Sequence, residues 1–177
     1  MKYIALILLL ASCTTTSPQL GYREARGYEG SSGFQTGAGI RATHDAGPVT
    51  FEGSVMTWTD HGTDDRFVNR STNDIEAEAF QASLGVCAPI AKGNGWQLTL
   101  GGGFAYQRAD VMVDLDYAGS ASDTAEEWAA YGEIAYRRSG WFIGARMDEP
   151  LDMGQSLFTT EPGGRGPSLT FGLTFGN

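Results

Sequence analysis

Between Gly95 and Gln107 the chain alternates strictly. Trp96, Leu98, Leu100, Gly102, Phe104 and Tyr106 fall on one face, and Gln97, Thr99, Gly101, Gly103, Ala105 and Gln107 on the other. A period of two marks a strand, here with one apolar face and one small, polar face. The apolar face has an aromatic residue at each end. Ten residues of extended chain reach roughly 33 Å, and at a tilt of about 45° they cover roughly 23 Å of height.

The same alternation recurs along the chain. Gly33–Thr43 sets Phe34, Thr36, Ala38, Ile40 and Ala42 against Gln35, Gly37, Gly39 and Arg41. Pro48–Thr59 sets Val49, Phe51, Gly53 and Val55 against Thr50, Glu52 and Ser54. Trp58 shares the parity of Glu52, so it points inward unless a bulge re-aims it. Asp74–Ala88 sets Phe80, Ala82, Leu84 and Val86 against Ala79, Gln81, Ser83, Gly85 and Cys87. Val111–Tyr117, Trp128–Arg138, Trp141–Met147 and Ser168–Phe175 repeat the pattern. The best helical candidate, Ala125–Ala130, is short. Short strands separated by turn residues predict an all-β sandwich or barrel.

Connection lengths then constrain the topology. Asp45–Gly47, Pro89–Asn94 and Ser139-Gly140 are short connections. Asp60–Asn73, Ala118–Glu127 and Asp148–Gly166 are long, polar or acidic ones. All short connections share one end if Trp96–Gln107 and Val111–Tyr117 form one long strand with an extension. Leu20–Tyr28 must then be a further strand, although Glu24 and Arg26 share a face with Leu20, Tyr22 and Tyr28. The other register makes Phe104–Gln107 and Val111–Asp114 a hairpin and leaves Leu20–Tyr28 outside. Both give eight strands, but the second puts the long Asp60–Asn73 loop among the short turns, so the first is preferred.

The face opposite the apolar one is mostly Gly, Ala, Ser, Thr and Gln, with Arg41, Glu52, Glu133, Arg137 and Arg146 among them. An eight-stranded barrel is just wide enough to be filled by side chains, so small residues and a few paired ions suit its interior. The pattern over Gly33–Asn177 resembles the small eight-stranded outer-membrane barrels of the OmpA/OmpX type. That resemblance implies an eight-stranded antiparallel up-and-down transmembrane β-barrel in a Gram-negative outer membrane, with lipopolysaccharide around it. Trp96, Tyr136, Trp141 and Phe175 would then lie at the periplasmic rim, and Phe34, Tyr106 and Trp128 at the outer rim, as an aromatic girdle. Leu169, Phe171, Leu173 and Phe175 resemble the C-terminal signal read by barrel-assembly machinery, although Gly176-Asn177 overrun the usual final aromatic residue.

The N-terminus has Met1-Lys2-Tyr3 followed by the apolar run Ile4–Ala11, too short to span a bilayer as a helix. Leu10-Ala11-Ser12-Cys13 resembles the lipobox of bacterial lipoproteins. It implies a signal peptide over residues 1–12, lipidation of Cys13 and a polar tether over 13–19 before a barrel domain over 20–177. Thr14 in place of Asp after Cys13 implies, by the enterobacterial pattern, export to the outer membrane.

Charge and chemistry narrow the function. A formal net charge of −9 disfavours nucleic acid. With two Cys and two His there is no disulfide scaffold and no zinc site of the usual kind. The long connections collect acids, among them Asp60, Asp64, Asp65, Asp110, Asp114, Asp116, Glu126, Glu127, Asp148 and Glu149. Such loops can hold Ca²⁺ or Mg²⁺, but no EF-hand-like spacing is present, and solvated surface charge is the default. Some barrels of this type modify lipid A through a His with Ser and an acid. Here His44 and His61 fall in turns or loops, and no Ser-x-His arrangement occurs. The expectation is a non-enzymatic monomer without cofactor, structural or surface-interactive. The alternative is a periplasmic lipocalin-like lipoprotein, which needs the large apolar residues to face a ligand inside. Its exposed strand faces would normally carry Lys, and Lys92 is the only lysine after Lys2.

Overall fold

The computed structural model describes residues 15–26, 32–60, 75–115, 119–151 and 167–175. Eight antiparallel strands follow one another around a closed barrel. They are β1 (Thr15–Arg26), β2 (Ser32–Ala46), β3 (Val49–Asp60), β4 (Ile75–Gly93), β5 (Trp96–Leu115), β6 (Gly119–Arg138), β7 (Trp141–Pro150) and β8 (Pro167–Leu173). Every strand pairs with its sequence neighbours, and β1 closes on β8. The preferred register is the observed one: β5 is one long strand, and β1 supplies the strand needed before β2.

Three two-residue turns lie at one end, at 47–48, 94–95 and 139–140, together with the start of β1 and the end of β8. Gly47, Gly95 and Gly140 take φ of 79°, 73° and 89° there. That is the left-handed region, which a residue with a Cβ seldom adopts and which tight hairpins require.

The expected boundaries differ in four places. The turn at Pro89–Asn94 is really Asn94-Gly95, and β4 continues through Pro89–Gly93 with a register shift between Pro89 and Ala91. A strand proline lacks its N–H, so a bulge accommodates it. The acidic stretch Ala118–Glu127 is not a loop: Gly119–Glu127 pairs residue for residue with β5. Of the residues expected as a tether, 13–19, those from Thr15 on belong to β1, with Ser17 and Gln19 buried and Pro18 and Leu20 exposed. Asp148, Glu149 and Pro150 belong to β7, not to the loop after it. The remainders of the loops at Asp60–Asn73 and Asp148–Gly166 fall on residues 61–73 and 152–166, outside the described residues.

Burial is reversed relative to a water-soluble domain. Phe104, Trp128 and Met147 are 60%, 58% and 63% exposed, while Arg41, Glu133 and Gln107 are 3%, 4% and 0% exposed. Leu20, Ile40, Leu84, Leu100, Ile134 and Leu169 join the outward set. The barrel interior therefore holds the polar face of each strand, and the lipocalin-like arrangement, with large aliphatics inside, is absent from the described strands.

Three inward aromatics depart from the small-residue pattern, and glycine makes room for them. A Cβ on Gly21 or Gly37 would sit 2.6 Å from the Trp58 indole. One on Gly172 would sit 2.2 Å from the Phe142 ring, and one on Gly85 2.1 Å from the Tyr131 hydroxyl. Trp58 thus points inward, 2% exposed, as its parity predicts.

Candidate functional site

The polar interior is assembled by inward positions of all eight strands. Arg41 (β2) donates both terminal nitrogens to the two carboxylate oxygens of Glu133 (β6), at 2.6 and 2.7 Å. This is the planar two-point pairing that guanidinium geometry favours. Glu52 (β3) lies 3.7 Å from Arg41 and 3.0 Å from Arg137 (β6). The Tyr131 hydroxyl donates to Glu52 at 3.3 Å. Two cations and two anions balance, which ions removed from water require. The Phe142 ring lies under the pair of guanidiniums, 4.7 Å from Arg41 and 6.0 Å from Arg137. Desolvated cation–π contacts of this kind contribute about 2 kcal/mol or more.

Arg146, expected in the same cluster, forms its own neutral pair. It binds Asp148 at 2.5 Å and donates to Ser83 at 3.1 Å. Its guanidinium lies 3.7 Å above the Tyr131 ring, so Tyr131 joins the two groups. Between Arg41, Glu52, Ser54, Ser83 and Arg146 there is no room for a water molecule.

A third polar layer was not anticipated. Arg23 (β1) donates to Gln35 at 2.6 Å and to Gln107 at 3.1 Å, and stacks 4.4 Å from the Trp58 ring. Trp58 in turn donates its indole N–H to Gln81 at 3.1 Å. Arg23 preceded the stretch where alternation was clear, so its parity carried little signal. Glu127 and Asp148, expected in solvated outer connections, are buried, 5% and 8% exposed. Both occupy inward positions of strands that run beyond the apolar pattern.

The outward aromatics form two bands. At the short-turn end Trp96 stacks on Tyr136 at 6.0 Å, Tyr136 meets Trp141 at 5.6 Å, and Trp141 meets Phe171 at 6.3 Å. Phe175, 58% exposed, is tied to the same end by its bridge to Thr16. At the other end Tyr106 packs on Trp128 at 5.5 Å, and Tyr22 stacks on Phe34 at 5.3 Å. Beyond this band, on the extension, Thr124 and Arg108 donate to Asp110 at 2.6 and 3.1 Å. These bonds, Thr124 first, hold the Asp110 carboxyl below the usual carboxylate range.

His44 lies on β2, opposite Phe51, not in a turn. Its Nδ1 has no hydrogen-bond partner among the described residues. No group of His, Cys, Asp and Glu arranged to hold a metal occurs among the described residues. Cys87 is buried and unpaired by disulfide, with Arg137 donating to its sulfur at 3.6 Å. Cys13 and His61 lie outside the described residues.

No family model and no curated protein matches the chain. Solved structures do match in fold. Neisserial surface protein A is 13% identical, with a TM-score of 0.58, covering 90% of this chain and 93% of that one. Ail, the attachment invasion locus protein of Yersinia pestis, is 13% identical, with a TM-score of 0.51, covering 92% and 99%. The N-terminal β-barrel domain of Pseudomonas aeruginosa OprF is 11% identical, with a TM-score of 0.51, covering 92% and 98%. The chain has the fold of these eight-stranded outer-membrane barrels.

Proposed function

We propose that this chain is an outer-membrane barrel of a Gram-negative bacterium, anchored additionally by a lipid on Cys13, with a structural or surface-interaction role. The observation that carries the reading is the reversed burial. Large apolar side chains cover the outside between two aromatic bands, and balanced ions fill the inside. An exposed apolar surface of that extent needs an apolar environment. The distance along β5 from Trp96 to Tyr106 suits the hydrocarbon thickness of such a membrane.

The packed interior supports a closed barrel over a pore. No catalysis is assigned. The short turns, the start of β1 and the end of β8 would face the periplasm. The acidic outer end, with Asp110, Glu126 and Glu149, would face outward and suit a cationic partner or divalent ions bridging to lipopolysaccharide. β8, with Leu169, Phe171 and Leu173 outward, supports recognition by barrel-assembly machinery. A monomer is sufficient, since the strands close on themselves.

The test is alkaline carbonate extraction of cells expressing parent and Cys13→Ser chains, with gel mobility compared before and after boiling. Retention in the outer membrane without Cys13, with a mobility shift on boiling, is expected. Release of the Cys13→Ser chain as a soluble periplasmic protein would overturn the transmembrane reading.

A further inference from the structure

The periplasmic mouth differs in charge from the rest of the molecule. A chain of net charge −9 gathers Lys92, Arg137 and Arg138 around one open cavity of about 390 Å³. That volume lies in the range of small-molecule sites. The one acid in its lining is Asp45, and its carboxylate already accepts the Thr50 hydroxyl at 2.6 Å. Lys92, Gln97 and Arg137 lie on one rung across β4, β5 and β6.

The interior does not consume these cations. Arg137 engages Glu52 and Cys87 through Nη2, and a guanidinium has five N–H donors. Lys92 and Arg138 have no ion pair among the described residues. Ser17, Thr43 and Ser139 add hydroxyl groups to the lining. Cations with spare donors, hydroxyls and little negative charge are the chemistry that holds a tetrahedral oxyanion. Trp96 also lines the cavity and belongs to the aromatic band at that end, which places the cavity at the depth of lipid headgroups.

We propose that this mouth binds a phosphate group, of a soluble phosphate ester or of a phospholipid headgroup in the inner leaflet. Only the lipid source rests on the membrane reading above. The mature full-length protein in maltoside micelles, which carry no phosphate, is titrated with inorganic phosphate while backbone amide resonances are followed. Saturable shifts confined to Gly93, Gly95 and Ser139 are expected for the soluble source. For the lipid source, phosphate leaves these amides unmoved, and transfer into nanodiscs containing phosphatidylglycerol shifts them. In either case the Lys92→Ala/Arg138→Ala double variant should weaken the response at least about tenfold, with resonances of the Arg41–Glu133 layer unchanged. Absence of a response to both probes, or an equal response in the double variant, overturns the proposal. A failed membrane assignment would show in carbonate extraction and leave the inorganic phosphate titration valid.

Discussion

Replacing Glu133 by Ala removes the two-point partner of Arg41, a guanidinium only 3% exposed. Truncating one member of a buried ion pair costs about 3–5 kcal/mol, because the surviving charge stays out of water. Here Glu52 remains 3.7 Å away, but it is already committed to Arg137 at 3.0 Å and to Tyr131. It offers a partial replacement, so the low end, about 3 kcal/mol, is expected. With a urea slope of about 2 kcal/mol per molar, the unfolding midpoint falls by roughly 1.5 M. Tryptophan fluorescence and the mobility difference on boiling both read that transition in micelles. The double variant Arg41→Met/Glu133→Leu should recover most of the loss, because it leaves the neutral pair Arg137–Glu52. A Glu133→Ala chain within about 0.5 kcal/mol of the parent would refute the reasoning. So would a double variant as unstable as the single one.

Four further outcomes follow from the same geometry. Gly85→Ala puts a Cβ 2.1 Å from the Tyr131 hydroxyl and 2.6 Å from the Gly102 carbonyl; it should lower stability by about 1–3 kcal/mol in urea unfolding. Gly132→Ala, with nothing within 4 Å, should stay within about 0.5 kcal/mol. In a Cys13→Ser chain, Cys87 should resist maleimide in the folded barrel and react fully in denaturant, since it is buried. Thr124→Ala should raise the Asp110 pKa toward its ordinary value, read by carboxyl carbon shifts against pH. Because that pKa is depressed in the fold, its stabilisation is present above the unfolded carboxylate pKa and fades as pH falls through the folded value.

What could be read from the sequence depended on what each face meets. On β5 from Trp96 to Tyr106 the outer face is apolar and the inner face small or polar, so alternation declared both strand and orientation. Trp58 was placed inward by parity alone. Beyond the aromatic bands both faces turn polar, and the signal vanishes. Gly119–Glu127 therefore looked like a loop, and Glu127 and Asp148 looked solvated although they point inward. Thr15–Gln19 looked like a tether for the same reason. Arg41, Glu52, Glu133, Arg137 and Arg146 share the inward parity, but Arg23, Glu127 and Asp148 lie inside as well, and no pairing was legible. Arg41 and Glu133 are 92 residues apart, and Arg23 and Gln107 are 84 apart; only closure of the barrel brings them together. Arg146 and Asp148 stand next to each other on one inward face, and only the mistaken end of β7 hid that pair.

The length of the strand ladders varies widely around the barrel. β5 and β6 are matched over 20 residue pairs, whereas among the described residues β1 meets β8 over Gln19–Arg23 and Ser168–Gly172, with one further bridge at Thr16 and Phe175. The cylinder thus has a seam. Its edges are also the first and last strands of the chain, so their pairing has the largest loop-closure entropy to overcome. The β5–β6 hairpin, with the longest ladder, forms most readily, and the seam is the last joint to close. Mechanical pulling or thermal opening should begin there, and amide exchange at Leu20 and Phe171 should outpace exchange at Leu100 and Ile134.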